Sequence, residues 1–153
     1  MLELIIPGDK TYQLKDLVLD FNGTIALDGK LIPGVKERIP KLSKILDIYV
    51  LTGDQHHNAA EVLKPLKLHL KIVHGKEEKI KFINSIGNKH TIYFGNGSID
   101  SKALKKSVIG ICVIENEGAS TKAILNSNIV VNNILDGLDL IIKKERLIST
   151  LKN

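Results

Sequence analysis

Short, continuously apolar runs alternate with longer amphipathic stretches along this chain, and this alternation constrains the fold more than any other feature. The apolar runs predict strands that are buried on both faces of a sheet: Asp16–Phe21, Ile48–Leu51, Leu68–Val73, Thr91–Phe94, Ile109–Ile114 and Ile129–Val131. The amphipathic stretches predict helices: Gly34–Leu46, Gln55–Leu63, Glu77–Ile86, Asp100–Lys106, Gly118–Asn126 and Ile134–Lys144. Strands and helices that alternate in this way form parallel βαβ units with right-handed crossovers. The sequence therefore predicts an α/β fold, a three-layer Rossmann-like sandwich around a central, mostly parallel sheet.

The two ends of the chain depart from this alternation. An initial hairpin, Leu2–Ile6 with Tyr12–Leu14, is expected to add an antiparallel edge to the sheet. The last stretch, Lys143–Asn153, is basic and is expected to fray. No linker or change of composition divides the chain, and 153 residues suit one domain. Residues 1–153 are therefore predicted to form a single domain.

Composition excludes several classes of protein. Apolar residues make up 43% of the chain and charged residues 25%, which excludes a disordered tail, a collagen-like repeat and a coiled coil. No apolar run reaches the roughly 18–20 residues of a membrane-spanning helix. The N-terminal segment MLELIIPGDK lacks the charge pattern and cleavage site of a signal peptide. A single cysteine cannot form an internal disulfide, so a cytoplasmic location is expected.

The chain is basic, with 22 basic and 17 acidic side chains and a net charge of +5. The lysines are spread over many segments of the sequence. With no Trp, three Phe and three Tyr, the chain offers no aromatic platform for single-stranded nucleic acid, so a nucleic-acid partner is not expected. The surplus indicates either attraction to anions in general, phosphorylated compounds included, or a solvated surface without a partner.

Polar residues and glycines follow three of the predicted strands. The first strand ends in residues 20–24 (DFNGT), the second in 52–54 (TGD) and the fourth in 95–100 (GNGSID). The helix after the third strand begins with three lysines, Lys76, Lys79 and Lys81. Ligands of open α/β sheets bind outside the carboxyl ends of the strands. These groups are therefore expected to meet at one rim of the sheet.

Each of these groups has a use in phosphoryl transfer. A carboxylate at a strand end can attack phosphorus, and a second carboxylate can share a magnesium ion with it. A Thr hydroxyl and backbone N–H groups can hold phosphate oxygens, and a lysine can neutralise their charge. Singly, each motif is a weak signal that a turn or a cap explains better, such as Asp54 capping a helix that begins near Gln55. Their order and their common position at strand ends favour the chemical interpretation.

The ordered set DFNGTIALDGKLIPGV, YVLTGD and GNGSID followed by SKAL resembles the haloacid dehalogenase superfamily of phosphohydrolases. Within it, the chain is similar to small proteins called soluble P-type ATPases, over roughly Leu17 to Ile148. The resemblance implies a magnesium-dependent hydrolase of a small phosphorylated compound that acts through an aspartyl-phosphate. It also implies roles: Asp20 as nucleophile and metal ligand, the Asn22 backbone carbonyl and Asp100 as further metal ligands, Thr52 as a phosphoryl contact and Lys79 as the cation. Lys76 and Lys81 remain alternatives to Lys79, and the expected substrate contacts are Gly23, Thr24, Gly53 and Asn96.

Three positions depart from the pattern that the resemblance implies. Asn22 stands where phosphatases of the superfamily have an Asp that acts as general acid and base, and such groups contribute about 10²–10⁴-fold. Asn96 stands where a metal-binding Asp is frequent, and Ile99 where the related ATPases have Asn. These changes predict slow hydrolysis and a weaker metal site. They keep open an alternative function, a catalytically impaired module that binds a phosphorylated ligand or a protein partner.

The resemblance also implies a fold without a cap domain. Asp20 and Thr52 are 32 positions apart, and a predicted helix takes up much of that segment. The remainder is a short flap, 25–33, in which Asp28-Gly29 predicts a tight hairpin turn. The site is therefore expected to be open, unless a neighbouring subunit of a homo-oligomer covers it.

Other reactive side chains have simpler explanations. His56 and His57 are expected on a solvated helix surface, with contact to a substrate phosphate as the alternative. Cys112 lies in the apolar run ICVI and is expected to be a small buried hydrophobe rather than a nucleophile. Ser120 is expected to cap the helix that follows it.

Overall fold

Strands and helices alternate along the chain in the computed structural model, which covers residues 1–153. The strands are β1 (Leu2–Ile5), β2 (Thr11–Leu14), β3 (Asp16–Asp20), β4 (Ala26–Leu27), β5 (Lys30–Leu31), β6 (Asp47–Thr52), β7 (His69–Ile72), β8 (Thr91–Gly95), β9 (Ile109–Val113) and β10 (Ile129–Val131). The helices are α1 (Val35–Ser43), α2 (Ala59–Leu63), α3 (Gly75–Ile86), α4 (Ser101–Lys106), α5 (Thr121–Leu125), α6 (Ile134–Ile142) and α7 (Lys144–Leu151). One six-stranded sheet has the order β10-β9-β8-β3-β6-β7, and all its strands are parallel. The predicted α/β fold is confirmed.

The strands of this sheet are apolar on both faces because helices cover both faces. Leu17 and Leu19 of β3 belong to the larger buried cluster, which also contains side chains of α1, α6 and α7. Val18, between them, belongs to a second cluster with side chains of α3, α4 and α5. Successive side chains of a strand point to opposite faces of the sheet. Each buried strand therefore joins two helical layers, as the three-layer prediction requires.

The N-terminal hairpin lies outside the central sheet. β1 and β2 pair antiparallel, with Leu2 opposite Leu14, as the sequence predicts. The prediction that they extend the central sheet is wrong, because they form a separate two-stranded sheet. Leu4 and Leu14 are fully buried in the larger cluster. The hairpin therefore covers the core beside α7 instead of adding an edge.

The C-terminal stretch is a helix, so the prediction that Lys143–Asn153 frays is wrong. Leu147 is completely buried, and Ile148 and Leu151 pack on the same core. The N–H of Asn153 donates a 3.0 Å hydrogen bond to the carbonyl of Pro7, which ties the last residue to the hairpin. The basic residues that suggested fraying occupy the outer face of an amphipathic helix.

Helix α2 begins at Ala59, four residues later than the predicted start at Gln55. Asp54 and His57 have φ angles of 55° and 54°, in the left-handed region that interrupts a helix. The Oδ1 atom of Asp54 accepts hydrogen bonds from the N–H groups of Asn58 and Ala59, at 3.1 and 3.0 Å. Asp54 therefore caps this helix across an intervening turn, which is the structural role that the sequence analysis gave as the alternative to a chemical one.

Between β3 and β6 the chain contains only α1 and a small flap hairpin. β4 and β5 pair around Asp28-Gly29, whose φ angles of 50° and 79° suit the predicted tight turn. No cap domain is inserted there, which agrees with the prediction from the sequence. None of the seven helices has the length and apolarity that a membrane span requires.

Candidate active site

The carboxyl ends of β3, β6 and β8 lie side by side, because β3 pairs with both of the other strands. β3 ends at Asp20, β6 at Thr52 and β8 at Gly95. The loop after β8 leads through a 3₁₀ turn, Ser98–Asp100, into α4. One edge of the sheet therefore collects the polar segments that the sequence analysis expected to meet.

Lys79 lies between two carboxylates at this edge. Its Nζ donates a 2.7 Å hydrogen bond to Oδ1 of Asp20 and another of 2.7 Å to Oδ1 of Asp100. The two carboxylate oxygens are therefore no more than twice 2.7 Å apart, although the residues are 80 positions apart in sequence. The three side chains are 9%, 13% and 3% exposed. Lys76 and Lys81 are exposed on the outside of α3, so the lysine at this edge is Lys79.

Asp100 is held by protein donors at both carboxylate oxygens. Besides the lysine, Oδ1 accepts a 2.6 Å hydrogen bond from the hydroxyl of Tyr93. Oδ2 accepts from the backbone N–H groups of Asn96 and Gly97, at 3.1 and 2.9 Å. A Cβ atom at Gly95 would lie 2.6 Å from Cγ of Asp100, so the close approach of this carboxylate requires glycine. Asp100 is therefore rigidly placed, and it fixes the lysine in turn.

The turn after β3 brings Thr24 to the other oxygen of Asp20. The hydroxyl of Thr24 lies 3.2 Å from Oδ2 of Asp20 and 3.5 Å from Oδ1 of Asn96, and it can donate to one of them at a time. Gly23 has φ of 84°, and a Cβ there would lie 2.7 Å from Nδ2 of Asn96. The N–H groups of Gly23 and Thr24 donate to carbonyls within the turn, those of Ala26 and Phe21. The hydroxyl of Thr24, although buried, is therefore the side-chain donor of this turn that lies beside Asp20.

Thr52 and Gly53 form the rim at the end of β6. Thr52 is buried, and its Oγ1 accepts a 2.9 Å hydrogen bond from the N–H of Asp54. The N–H of Gly53 donates to no group of the chain. Neither residue forms a hydrogen bond with Asp20 or Lys79. The end of β6 therefore offers one hydroxyl and one unpaired N–H.

Asn22 connects the site to the flap. Its Oδ1 accepts a 2.8 Å hydrogen bond from the N–H of Gly29 at the flap turn. On the other side of the turn, Nδ2 of Asn58 donates to the carbonyl of Gly29 at 3.0 Å. The side-chain amides of Asn22 and Asn58 therefore hold the flap turn by hydrogen bonds to both backbone groups of Gly29. The backbone carbonyl of Asn22 accepts no hydrogen bond within the chain, which leaves this oxygen available to a ligand.

Burial and mutual charge set the protonation of these groups. Burial raises the pKa of Asp20 to about 7, the negative charge of Asp100 acts in the same direction, and Lys79 opposes both. Burial lowers the pKa of Lys79, but the two carboxylates outweigh it and raise this pKa above its usual value. Burial, together with Asp100, holds the pKa of Tyr93 well above its usual value, so its hydroxyl remains a donor. One buried cation thus faces two acidic groups, and negative charge is in excess.

The oxygen atoms at this edge suit a small, hard cation. No group of three His, Cys, Asp or Glu side chains forms a closed metal site. Magnesium does not need one, since it is usually bound through one or two carboxylates and keeps several waters. The carboxylate of Asp20, the free carbonyl of Asn22 and the excess negative charge fit such an ion. Asp100 could join them only by exchanging one of its hydrogen-bond donors for the ion.

Two archaeal proteins are similar to this chain in sequence. The chain is 51% identical to the uncharacterized protein MJ0073 of Methanocaldococcus jannaschii over 63 residues, which are 41% of this chain and 68% of that protein. It is 53% identical to the uncharacterized protein MJ0072 of the same organism over 38 residues, 25% of this chain and 86% of that protein. The chain belongs to the same family as these proteins. No family model matches it.

Solved structures extend the comparison to proteins with named activities. A zinc-transporting PIB-type ATPase is 27% identical, with a TM-score of 0.65 over 78% of this chain and 20% of the ATPase. A 3-deoxy-D-manno-octulosonate 8-phosphate phosphatase from Moraxella catarrhalis, in complex with magnesium, phosphate and KDO, has a TM-score of 0.68 and 17% identity, over 91% of this chain and 94% of the phosphatase. A protein from Streptomyces avermitilis described as a HAD family hydrolase has a TM-score of 0.69 and 19% identity, over 91% of this chain and 88% of that protein.

The chain has the fold of haloacid dehalogenase superfamily hydrolases. It shares this fold, without a cap domain, with structurally similar phosphatases and with a part of a P-type ATPase. The resemblance stated from the sequence motifs is therefore confirmed. Within this superfamily fold, Asp20 ends a central strand and faces a lysine from α3.

Sequence reasoning missed two residues of the candidate site. Tyr93 is a core residue by pattern, but its buried hydroxyl needs a partner, and that requirement could have indicated a polar group beside β8. Asn58 donates a hydrogen bond to the flap, and this contact depends on the conformation of its loop, which no local sequence pattern predicts. Neither His56 nor His57 forms a hydrogen bond with the site, and both side chains are exposed. Cys112 is fully buried, and burial raises its pKa to about 11, so it is no nucleophile.

Proposed function

We propose that this protein is a magnesium-dependent phosphohydrolase of small phosphorylated compounds, and that it forms an aspartyl-phosphate on Asp20. The observation that supports the proposal is the ion-pair arrangement in which Nζ of Lys79 bridges Asp20 and Asp100 at the carboxyl edge of the sheet. An ion pair that only stabilises the fold could lie anywhere in the protein. A nucleophile has to lie at the carboxyl edge of the strands, because that is where substrates bind to open α/β sheets.

In the proposed reaction, a carboxylate oxygen of Asp20 attacks phosphorus, and the bond from phosphorus to the leaving oxygen breaks. Water then attacks the phosphorus of the aspartyl-phosphate, which releases phosphate and restores the carboxylate. Lys79 favours the ionised, nucleophilic form of Asp20 and offsets charge on the phosphoryl oxygens. The hydroxyls of Thr24 and Thr52 and the N–H of Gly53 would hold those oxygens.

The oxygen ligands at the site fit the metal that the fold family implies. Asp20, the carbonyl of Asn22 and Asp100 would hold magnesium, which would offset charge on the transferred phosphoryl group. Asn96 would contribute a neutral amide in place of a second metal-binding carboxylate, so we expect weak magnesium binding.

Hydrolysis would be slow because Asn22 cannot transfer a proton. The leaving oxygen would have to take its proton from water, and the attacking water would lack a general base. Positioned acid–base groups contribute about 10²–10⁴-fold, so the absence of one predicts a reduction of that order. The phosphorylated form of Asp20 would accordingly persist longer than in a phosphatase with an acid at position 22.

The experiment is phosphate release from an aryl phosphate with added magnesium. Asp20→Asn should abolish release, since an amide is no nucleophile. Asp47→Asn is the matched control, because it makes the same exchange at an exposed residue where β6 begins, at the other edge of the sheet. Equal rates of phosphate release for Asp20→Asn and the unmodified protein would show that Asp20 is not the nucleophile.

A second candidate is a module that binds a phosphorylated ligand without turnover. The amide of Asn22, whose oxygen is engaged by the flap, and the fully hydrogen-bonded carboxylate of Asp100 favour it. A ligand that binds only the folded state raises the melting temperature. Stabilisation by magnesium with fluoroaluminate, without phosphate release across a substrate panel, would support this candidate and exclude the hydrolase.

We further propose a cytoplasmic location and that residues 1–153 act as one hydrolase domain, since the groups of the site meet at one edge of a single central sheet. Light scattering after size exclusion distinguishes a monomer from a homo-oligomer that covers the open edge.

A further inference from the structure

Six lysines from four parts of the chain converge on one continuous surface. They come from the β1–β2 turn, the loop before β8, helix α4 and helix α5: Lys10, Lys89, Lys102, Lys105, Lys106 and Lys122. This lysine surface contains two adjoining grooves, of 430 and 620 Å³, which share Lys105, Lys106 and Asn126. The fold thus gathers basic groups that are dispersed in sequence.

The first groove of the lysine surface is separate from the candidate active site. It is lined where β8, β9 and β10 begin, by residues such as Lys89, Val108 and Asn128. The candidate active site lies where β3, β6 and β8 end. Because these strands are parallel, the two sites occupy opposite edges of the sheet. A ligand in the first groove would therefore not compete with a substrate at Asp20.

The six lysines of this surface outnumber the net charge of +5 of the whole chain. The chain has 22 basic and 17 acidic side chains, and removing these six lysines from the count leaves 16 basic against the same 17 acidic. No Asp or Glu lines either groove. The nearest acidic partner, Glu77, lies 3.8 Å from Lys102, and both side chains are more than half exposed. The surface therefore carries an uncompensated positive field, which attracts polyanions.

The remaining lining of the first groove identifies the class of polyanion. Apart from its lysines it consists of Asn and Ser side chains and two apolar residues, Val108 and Leu125. Lys, Asn and Ser are residue types that contact phosphate and sugar oxygens of nucleic acids. Protein interfaces instead centre on aromatic and other apolar anchors, and single strands need aromatic rings to stack on. Neither groove contains an aromatic residue.

We propose that the lysine surface binds the sugar–phosphate backbone of duplex nucleic acid without sequence preference. The proposal is independent of the phosphohydrolase function. Six lysines can neutralise up to six phosphates, so the logarithm of the binding constant should fall with the logarithm of salt concentration with a slope of at most about −5. Affinity should be that of non-specific binding, a Kd of about 10⁻⁴–10⁻⁶ M at physiological salt.

The test is fluorescence anisotropy of a labelled DNA duplex, titrated at several salt concentrations without magnesium or a phosphorylated substrate. The triple variant Lys89→Gln, Lys105→Gln, Lys106→Gln should bind at least about tenfold more weakly and lose about three units of salt slope. The matched control replaces three exposed lysines on the first helical segment, Lys36→Gln, Lys41→Gln and Lys44→Gln. It removes the same net charge and should bind like the unmodified protein.

Three results would overturn the proposal: equal weakening by both triple variants, no binding at low salt, or competition by polyglutamate or a single strand as effective as by the duplex. Equal weakening would mean that net charge alone attracts DNA. Phosphate release, measured in parallel, should be the same for both triple variants. Failure of DNA binding and failure of catalysis are therefore separate observations.

Discussion

Replacing Lys79 with Met should destabilise the folded protein strongly. Met keeps most of the length of the side chain and removes its charge. Lys79 forms ion pairs with both Asp20 and Asp100, and no other basic side chain pairs with either carboxylate. The substitution therefore leaves two buried carboxylates facing each other.

The magnitude follows from the geometry. The facing oxygens are no more than twice 2.7 Å apart, and two unit charges at about 5 Å repel by about 3 kcal/mol at an effective dielectric constant of about 20. Removing one partner of a buried ion pair typically costs about 3–5 kcal/mol. For a chain of this size each kcal/mol lowers the melting temperature by about 2–4 °C, so we expect a fall of about 10 °C.

The loss should also depend on pH. Burial and Asp100 raise the pKa of Asp20 to about 7 in the folded state, and removing Lys79 raises it further. A carboxyl group with a raised folded pKa is protonated in both states below its unfolded pKa of about 4, where it costs no stability. The loss of folding stability grows as pH rises from the unfolded pKa to the folded pKa, and it is complete above the folded pKa. Lys79→Met should therefore lose less stability at pH 5 than at pH 8.

The assay is urea and thermal unfolding in chelator at both pH values, with each variant compared with the unmodified protein. Lys81→Met is the matched control, because Lys81 lies exposed on the same helix and should change stability by less than about 0.5 kcal/mol. The double variant Asp20→Asn, Lys79→Met removes the repulsion and should recover most of the loss. Similar losses for Lys79→Met and Lys81→Met, or a larger loss at pH 5 than at pH 8, would refute the reasoning.

Three further predictions concern the candidate site. Asn22→Asp should raise turnover of an aryl phosphate by about 10²-fold or more, because it supplies the missing acid–base group; unchanged turnover would mean that proton transfer does not limit the rate. Gly95→Ala should lower both the melting temperature and turnover, because its Cβ would lie 2.6 Å from Cγ of Asp100, whereas Gly97→Ala, with its Cβ at 3.7 Å from Oδ2, should be milder. Removing metal with a chelator should abolish phosphate release and added magnesium should restore it, and a rate that survives chelation would contradict the metal requirement.

The central sheet could be predicted from the sequence because a strand that is buried on both faces has a continuous run of apolar residues. The N-terminal hairpin and α7 were misjudged for the opposite reason. Their positions depend on contacts between the two ends of the chain, since α7 packs on β1 and Asn153 donates a hydrogen bond to Pro7. Periodicity predicts that such segments are amphipathic. It does not say which surface they cover.

The candidate site was predictable in part. Asp20 and Asp100 each follow a strand, and strand order places neighbouring ends together, so their meeting needed no knowledge of side-chain positions. Which of the three lysines reaches the site depends on the face of α3 that each one occupies. The structure shows that Lys79 faces Asp20 and Asp100. Asn58 could not be predicted, since its contact with the flap depends on the left-handed backbone at Asp54 and His57. The lysine surface could not be predicted either, because its lysines come from four separate segments of the chain.

The central claim is that Asp20 is the phosphorylated nucleophile. The most direct measurement is peptide mass spectrometry of protein quenched in acid during reaction with an aryl phosphate and magnesium. The account predicts one added phosphoryl group on the peptide that contains Asp20, and none on that peptide from the Asp20→Asn variant. Steady phosphate release with no phosphoryl group at Asp20, or with the group on another residue, would contradict it.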